Sequence, residues 1–149
     1  MTTNDAVDLP DVNVLFAALN KDHVAHAAAV AWLDQVEQFA LTPATMNGLL
    51  RLLLNPAAMP NTPPPAQALR AIDALRASRG AAFWPDDRIP GALAHFSYAL
   101  TSHRQVTDLH LLDLAVAHGA RLATLDAKTA AALRPSDSRH LNVLVEPAP

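Results

Sequence analysis

No cysteine occurs among the 149 residues, which excludes disulfides and thiolate metal sites and leaves oxygen or imidazole as the only metal ligands. The same absence fits a cytoplasmic protein. Glycine is scarce as well. Four in the whole chain leave no Gly-rich loop to cradle a phosphate, which argues against a nucleotide-binding module. Glutamate is scarcer still: Glu37 and Glu146 are the only two. There is no excess of basic charge. A net charge of −3 argues against a broad, non-specific nucleic-acid surface, while leaving room for an acidic pocket neutralised by bound cations. No apolar run approaches the ~20 residues of a membrane-spanning helix. The stretch from Met1 to Asp8 has neither Lys nor Arg and is expected not to be a signal peptide.

What is present is an Ala- and Leu-rich chain, 51% hydrophobic and 17% charged, a balance that builds one helix-leaning globular domain over 1–149. The pattern predicts a strand at Ala6–Leu9 stopping at Pro10, then a helix over Val12–Leu19. A second helix is expected from His23 to Val36 with Asp22 as its cap, then a strand at Gln38–Thr42 and a strongly apolar helix over Thr45–Leu54. Five prolines between Asn55 and Pro65 mark a loop. Further on, a helix (Ala66–Ser78), a strand (Ala81–Trp84), two helices (Gly91–Leu100 and Thr107–His118), a strand (Arg121–Thr124), a helix (Ala127–Leu133) and a last strand (Leu141–Val145) are expected. The tail from Glu146 is expected to fray. Short apolar strands alternating with helices predict an α/β domain whose parallel sheet is covered on both faces.

Nearly all the acids are Asp, a residue suited to caps, turns and metal sites. Three of them fall at the ends of predicted elements: Asp11 after the first strand, Asp108 at the start of the helix from Thr107, and Asp126 after the strand ending at Thr124. Ligands of an open parallel sheet bind beyond the carboxyl ends of its strands, where Asp11 and Asp126 belong. Asp108 shares a helix stripe with Leu111, Leu112 and Ala115 and should face inward; Asp113, ~140° further round, should not. Each acid taken singly is a cap or a turn closer. Taken together they form a site. Three converging carboxylates repel, and a hard divalent cation removes that cost. A cation so held would acidify a bound water and steady charge on a phosphate, so the chemistry points to phosphodiester hydrolysis.

The stretches Leu9-Pro10-Asp11-Val12-Asn13-Val14-Leu15, Phe83-Trp84-Pro85-Asp86-Asp87, His103-Arg104-Gln105-Val106-Thr107-Asp108 and Arg121-Leu122-Ala123-Thr124-Leu125-Asp126 resemble, in order and spacing, those of PIN-domain ribonucleases, in particular VapC-type toxins of toxin–antitoxin pairs. The resemblance implies a PIN-like three-layer α/β/α fold with a central sheet of about five short parallel strands. It implies an endoribonuclease dependent on Mg²⁺ or Mn²⁺, a homodimer, and a cognate VapB-type antitoxin lying across the active-site groove. Asp11, Asp108 and Asp126 would be its metal acids, with Asn13, Thr107 and Thr124 as polar neighbours that orient the carboxylates or their waters. The departure is Met46. The segment Thr45-Met46-Asn47-Gly48 carries Met where the family usually has Glu, and a thioether is a poor ligand for a hard cation. Three readings compete: three aspartates and water suffice at reduced activity; Thr45 or Asn47 supplies a neutral oxygen; or catalysis is lost and only binding of antitoxin or RNA remains.

Arg104 and Arg51 are candidate RNA-phosphate contacts, Arg104 the better placed and Arg51 equally a solvated residue. His103 reads as incidental, and His23 and His26 as a surface pair without a third ligand. Trp32 and Trp84 read as core. The apolar faces around Trp32 and Leu49–Leu54 suit ordinary core or a dimer or antitoxin surface. An Asp-nucleophile phosphatase is disfavoured because position 13 is not acidic.

Overall fold

A computed structural model of the chain describes residues 6–145. In chain order it has β1 (Asp8–Pro10), α1 (Val12–Leu19), α2 (His26–Gln35), β2 (Phe39–Leu41), α3 (Pro43–Leu53), α4 (Pro65–Arg76) and β3 (Ala81–Phe83). Two 3-10 helices, Pro90–Ala99 and His103–Gln105, lead into α5 (Val106–Ala117). Then come β4 (Arg121–Thr124), α6 (Ala127–Ala132), a 3-10 turn (Ser138–His140) and β5 (Leu141–Val143). The five strands form one sheet in the order β3-β2-β1-β4-β5, every pair parallel. The chain fills one half of the sheet outward from β1, then returns to lay β4 on the other side of β1. Successive connections therefore diverge between β1 and β4, the point where open α/β sheets form their ligand crevice.

The strands alternate between two cores, as a sheet buried on both faces must. Leu9, Ala40, Leu122 and Leu141 face a cluster with Leu93, Phe96, Leu109 and Leu112. Phe39, Leu41 and Ala123 face the other, with Val14, Phe16, Trp32, Leu49 and Ile72. The expected three-layer α/β arrangement with about five short parallel strands is what the chain forms.

Local details differ from expectation for identifiable reasons. Pro10 does not stop β1 but ends it, paired in register with Ala123. Asp22 does not cap α2: its N–H donates to Asn20 Oδ1, His23 Nδ1 accepts from Ala25, and the helix starts only at His26. α3 starts two residues early because Thr42 and Thr45 close a capping box around Pro43. The segment 90–99 is a 3-10 helix rather than an α-helix. It buries Leu93, Phe96 and Ala99, spaced by three, which matches a three-residue turn. Gly80 has φ +81°, and a Cβ there would collide with the Glu37 carbonyl oxygen, so the turn into β3 requires glycine. No helix of the described residues is long and apolar enough to cross a membrane. Most of the Met1–Asp8 stretch, residues 1–5, and the tail expected to fray, residues 146–149, lie outside the described residues.

Candidate active site

Asp11 follows β1 directly. Its N–H donates to the Ala123 carbonyl of β4 (2.9 Å), which extends the β1–β4 pairing, and its Oδ1 accepts from Val14 N (2.9 Å), which caps α1. The residue is therefore both a cap and a carboxylate at the switch point. It is buried, and burial drives its pKa up, offset in part by the Thr124 hydroxyl and the Val14 and Asn13 N–H groups and reinforced by repulsion from Asp126. Thr124, the last residue of β4, is buried and joins two acids. Its Oγ1 accepts from Asp126 N (3.0 Å), and its hydroxyl lies beside the Asp11 carboxylate.

Asp126 is exposed and caps α6 through Lys128 N (2.8 Å). Asp108 stands in the first turn of α5, whose cap position is Gln105, so it is not the N-cap that a Thr-Asp start suggests. Half-buried, it is pushed up to about 6, first by desolvation and then by Asp11 and Asp126. The three predicted acids are near enough to repel one another, at the carboxyl edge of β1 and β4 and the start of α5. Among the described residues, no three acidic, histidine or cysteine groups are already drawn together as a cation cage.

Among the described residues, no cation answers these three acids. No Lys, Arg or His is among the groups acting on Asp11 or Asp108, and none of the described ion pairs reaches the three acids. An oxygen-only donor set that is partly desolvated and mutually repelling suits a hard divalent cation. Asp11, Asp108 and Asp126 are the residues that would hold it.

The other predicted residues are placed less tightly. Asn13 and Thr107 are exposed at the starts of α1 and α5, with no described side-chain hydrogen bond to the acids. Arg104 is exposed in the 3-10 helix before α5. Arg51 is exposed near the end of α3, ~13 Å along the axis from its Thr42 cap. His103 is exposed. His26 Nδ1 meets the Ala17 carbonyl (2.7 Å) and His23 Nδ1 accepts from Ala25, so both rings serve local structure. Trp32 is core, and it donates Nε1–H to Asp8 (2.9 Å). Trp84 is half-buried and stacked on His118.

Met46 is half-buried on α3 and packs against the cluster that holds Phe16 and Leu49. It is core filling of the kind thioethers supply. Thr45 is not a free oxygen ligand, because its hydroxyl accepts from Thr42 N (3.0 Å) and donates to the Thr42 carbonyl (3.2 Å). Asn47 is exposed. Two residues went unassigned at the level of sequence. A Cβ on Gly48 would lie 2.9 Å from Val12 Cγ2, so glycine lets α3 approach α1 beside Asp11. Asp86 accepts from Ala44 N (2.8 Å) in the first turn of α3. The close approach leaves no local signal; the Asp86 contact, 42 residues distant, is visible only in three dimensions.

The PIN domain family model matches residues 9–133. The chain is 41% identical over 126 residues to ribonuclease VapC39 of Mycobacterium tuberculosis, an alignment covering 82% of this chain and 90% of that protein. It is 39% identical over 143 residues to ribonuclease VapC44 of the same organism, covering 91% and 98%. Among solved structures it superimposes on M. tuberculosis VapC20, a Sarcin-Ricin loop cleaving toxin, with TM-score 0.59 and 15% identity, covering 86% of this chain and 99% of that one. It also superimposes on VapBC2 of Rickettsia felis, solved bound to a DNA fragment from the promoter, with TM-score 0.58 and 14% identity, covering 93% and 99%.

Proposed function

The chain belongs to the PIN-domain family, among its VapC-type members, and from that premise we propose that it is a Mg²⁺- or Mn²⁺-dependent endoribonuclease toxin of a toxin–antitoxin pair. The carrying observation is the placement of Asp11 after β1, Asp126 after β4 and Asp108 in the first turn of α5, at the switch point and without a described cation partner. In this reading Asp11 and Asp108 present carboxylate oxygens from the two walls, β1 and α5, and Asp126 closes the third side from β4. Thr124 keeps Asp11 and Asp126 in mutual register. A divalent cation held by Asp11, Asp108 and Asp126 would supply positive charge for the developing charge on the phosphate and would acidify a water. In the overall hydrolysis the water oxygen bonds to phosphorus as one ester P–O bond breaks, and the proton lost by the water balances the one taken up by the leaving oxygen. Arg104, exposed beside the start of α5, is the residue to draw in the RNA backbone, with Arg51 further out. The partners are RNA, a VapB-type antitoxin and a second copy of the chain.

Met46 supports a second reading. With an apolar residue packed where an acid is expected, the pocket has one ligand fewer, and the chain acts mainly by binding antitoxin or RNA. Incubating the purified full chain with RNA separates the two. The first reading expects cleavage with Mg²⁺ or Mn²⁺, none with EDTA, and loss of at least ~10²-fold in Asp108→Ala. Cleavage that survives Asp108→Ala sinks it. No turnover at high Mn²⁺ with antitoxin binding intact establishes the second.

A further inference from the structure

Beyond β3 the chain runs as Trp84-Pro85-Asp86-Asp87-Arg88 between the start of α3 and the length of α5, and three of its side chains are tied down. The Trp84 ring stacks on His118 at the end of α5, with centroids 3.9 Å apart and planes 8° from parallel. Arg88 grips Asp113 of α5 with two bonds, Nε to Oδ2 at 2.8 Å and one terminal nitrogen to Oδ1 at 3.2 Å. Asp86 spans two helices. Its Oδ2 accepts from Ala44 N at 2.8 Å, two residues before Met46, and its Oδ1 lies 3.6 Å from His110 Nε2, two residues after Asp108.

At ~100° per residue, positions 110, 113 and 118 fall within roughly 140° of α5, and Asp108 lies ~160° from His110. The strap therefore grips α5 from the side away from the pocket. Asp86 is no substitute for the acid missing at position 46, since it is not among the groups that act on Asp108 or Asp11. Its contacts have another consequence. α3 packs on α1 and α4, whereas α5 packs on β1, β4 and the 3-10 helices. The Asp86 carboxylate accepts a hydrogen bond from the helix that carries Met46 and lies 3.6 Å from a histidine nitrogen of the helix that carries Asp108.

We propose that Asp86 is a positioning residue for the acid pocket, setting the separation of α3 and α5 and with it the place of Asp108. The inference rests on the nuclease reading. An error of about 1 Å in such a constellation costs up to ~10²-fold in rate. In the full chain, Asp86→Ala is expected to weaken Mn²⁺ binding in calorimetry and lower kcat about tenfold, with KM for RNA little changed. Asp86→Asn keeps an oxygen for the Ala44 N–H, protects the fold and loses the charge facing His110; a smaller loss of the same kind is expected. Arg88→Ala loosens the strap without touching this tie and controls for general destabilisation. Its melting temperature should fall while its Mn²⁺ affinity holds. Mn²⁺ affinity and kcat within twofold of the unmodified chain in a folded Asp86 variant overturn the inference and leave the nuclease reading standing. So does an equal loss of affinity in Arg88→Ala. An unmodified chain that neither binds Mn²⁺ nor cleaves RNA overturns the nuclease reading and the inference with it.

Discussion

Asp8 opens β1 and Asp11 follows its last residue, and they are hidden alike, 1% and 5% exposed. Their surroundings are opposite. Asp8, on the amino edge of the sheet, accepts from Trp32 Nε1, from Asn142 Nδ2 on β5 and from two nitrogens of Arg121, its cross-strand neighbour on β4. Three elements meet on one carboxylate whose charge is answered by a cation. The same holds elsewhere. Arg88 answers Asp113, while Tyr98 and His95 hold the Asp137 carboxyl below the usual range. On the carboxyl edge, Asp11 has only neutral donors, and its neighbours Asp108 and Asp126 repel it. A chain that partners its buried structural acids this thoroughly leaves Asp11, Asp108 and Asp126 without a described cation partner, one buried, one half-buried and one exposed, and acids raised by burial and by each other mark a candidate site for something other than stability.

The same substitution at both ends of β1 breaks or sharpens that contrast, and it carries the largest expected effect. Asp8→Asn leaves Arg121 without its counter-charge at a largely buried position. The cost is about 3 kcal/mol, a drop of roughly 10 °C in Tm. Asp11→Asn keeps an oxygen to cap α1, relieves the repulsion with Asp126 and should leave the metal-free Tm unchanged or higher, while RNA cleavage is lost. Thermal melts of the two variants side by side decide the matter. Equal losses of Tm would put Asp11 among the structural acids.

How far this contrast was legible beforehand depends on the range of the interaction. Asp11, Asp108 and Asp126 were readable because element ends are local features: strand patterns stop at Pro10 and Thr124, and a helix stripe starts near Asp108. The five-strand α/β layering followed from the same alternation, and α1 and β4 came out with the expected boundaries. What stayed hidden is long-range. Nothing near Asp8 in the chain announces Arg121 and Asn142, 113 and 134 residues away, so an acid bound up in a network and an acid left bare look alike in one dimension. The 3-10 form of 90–99 was obscured because a stripe at spacing three also suits an α-helix. Asp22 looked like a cap, but Asn20 and His23 had already claimed the local N–H groups.

A smaller effect is expected at Met46, which sits between the two kinds of region, on a helix that closely approaches α1 at Gly48 but with its own side chain packed against the core. Met46→Glu adds a fourth carboxylate to an already repelling set. The metal-free protein should lose stability, and Mn²⁺ affinity should rise by about tenfold, since cation sites are tuned by the number of charged ligands. Calorimetric titration of both chains, with RNase assays alongside, reads both signs. Unchanged affinity would mean that position 46 faces the core too squarely to reach the pocket and that the three aspartates are the whole acid set.

The smallest effect is also the most specific to the bare acids, because it depends on their protons. Asp108 is raised from 3.8 to about 6, so between those values the native chain holds more protons than the unfolded chain. Stability of the metal-free protein contributed by this group is therefore full below about pH 4, falls as pH rises towards 6 and stays low above it. Asp11 is raised too and acts in the same direction. Asp137, held low by its partners, has the opposite sign: its contribution is present above the ordinary carboxylate range and is lost only as pH falls below it. His140, lowered by burial, adds stability as pH rises through its own range and would mask the Asp108 limb in a single profile. The difference between the chain and Asp108→Asn cancels what the two share. Partial exposure of Asp108 screens the effect, so the expected difference is a few degrees in Tm, opening between about pH 4 and 6 with Asp108→Asn the more stable above 6. Saturating Mn²⁺ should then reverse the order by stabilising only the chain that keeps the carboxylate. A Tm difference that does not vary with pH, or Mn²⁺ stabilising both chains equally, would remove Asp108 from the cation site and leave it an incidental acid in the first turn of α5.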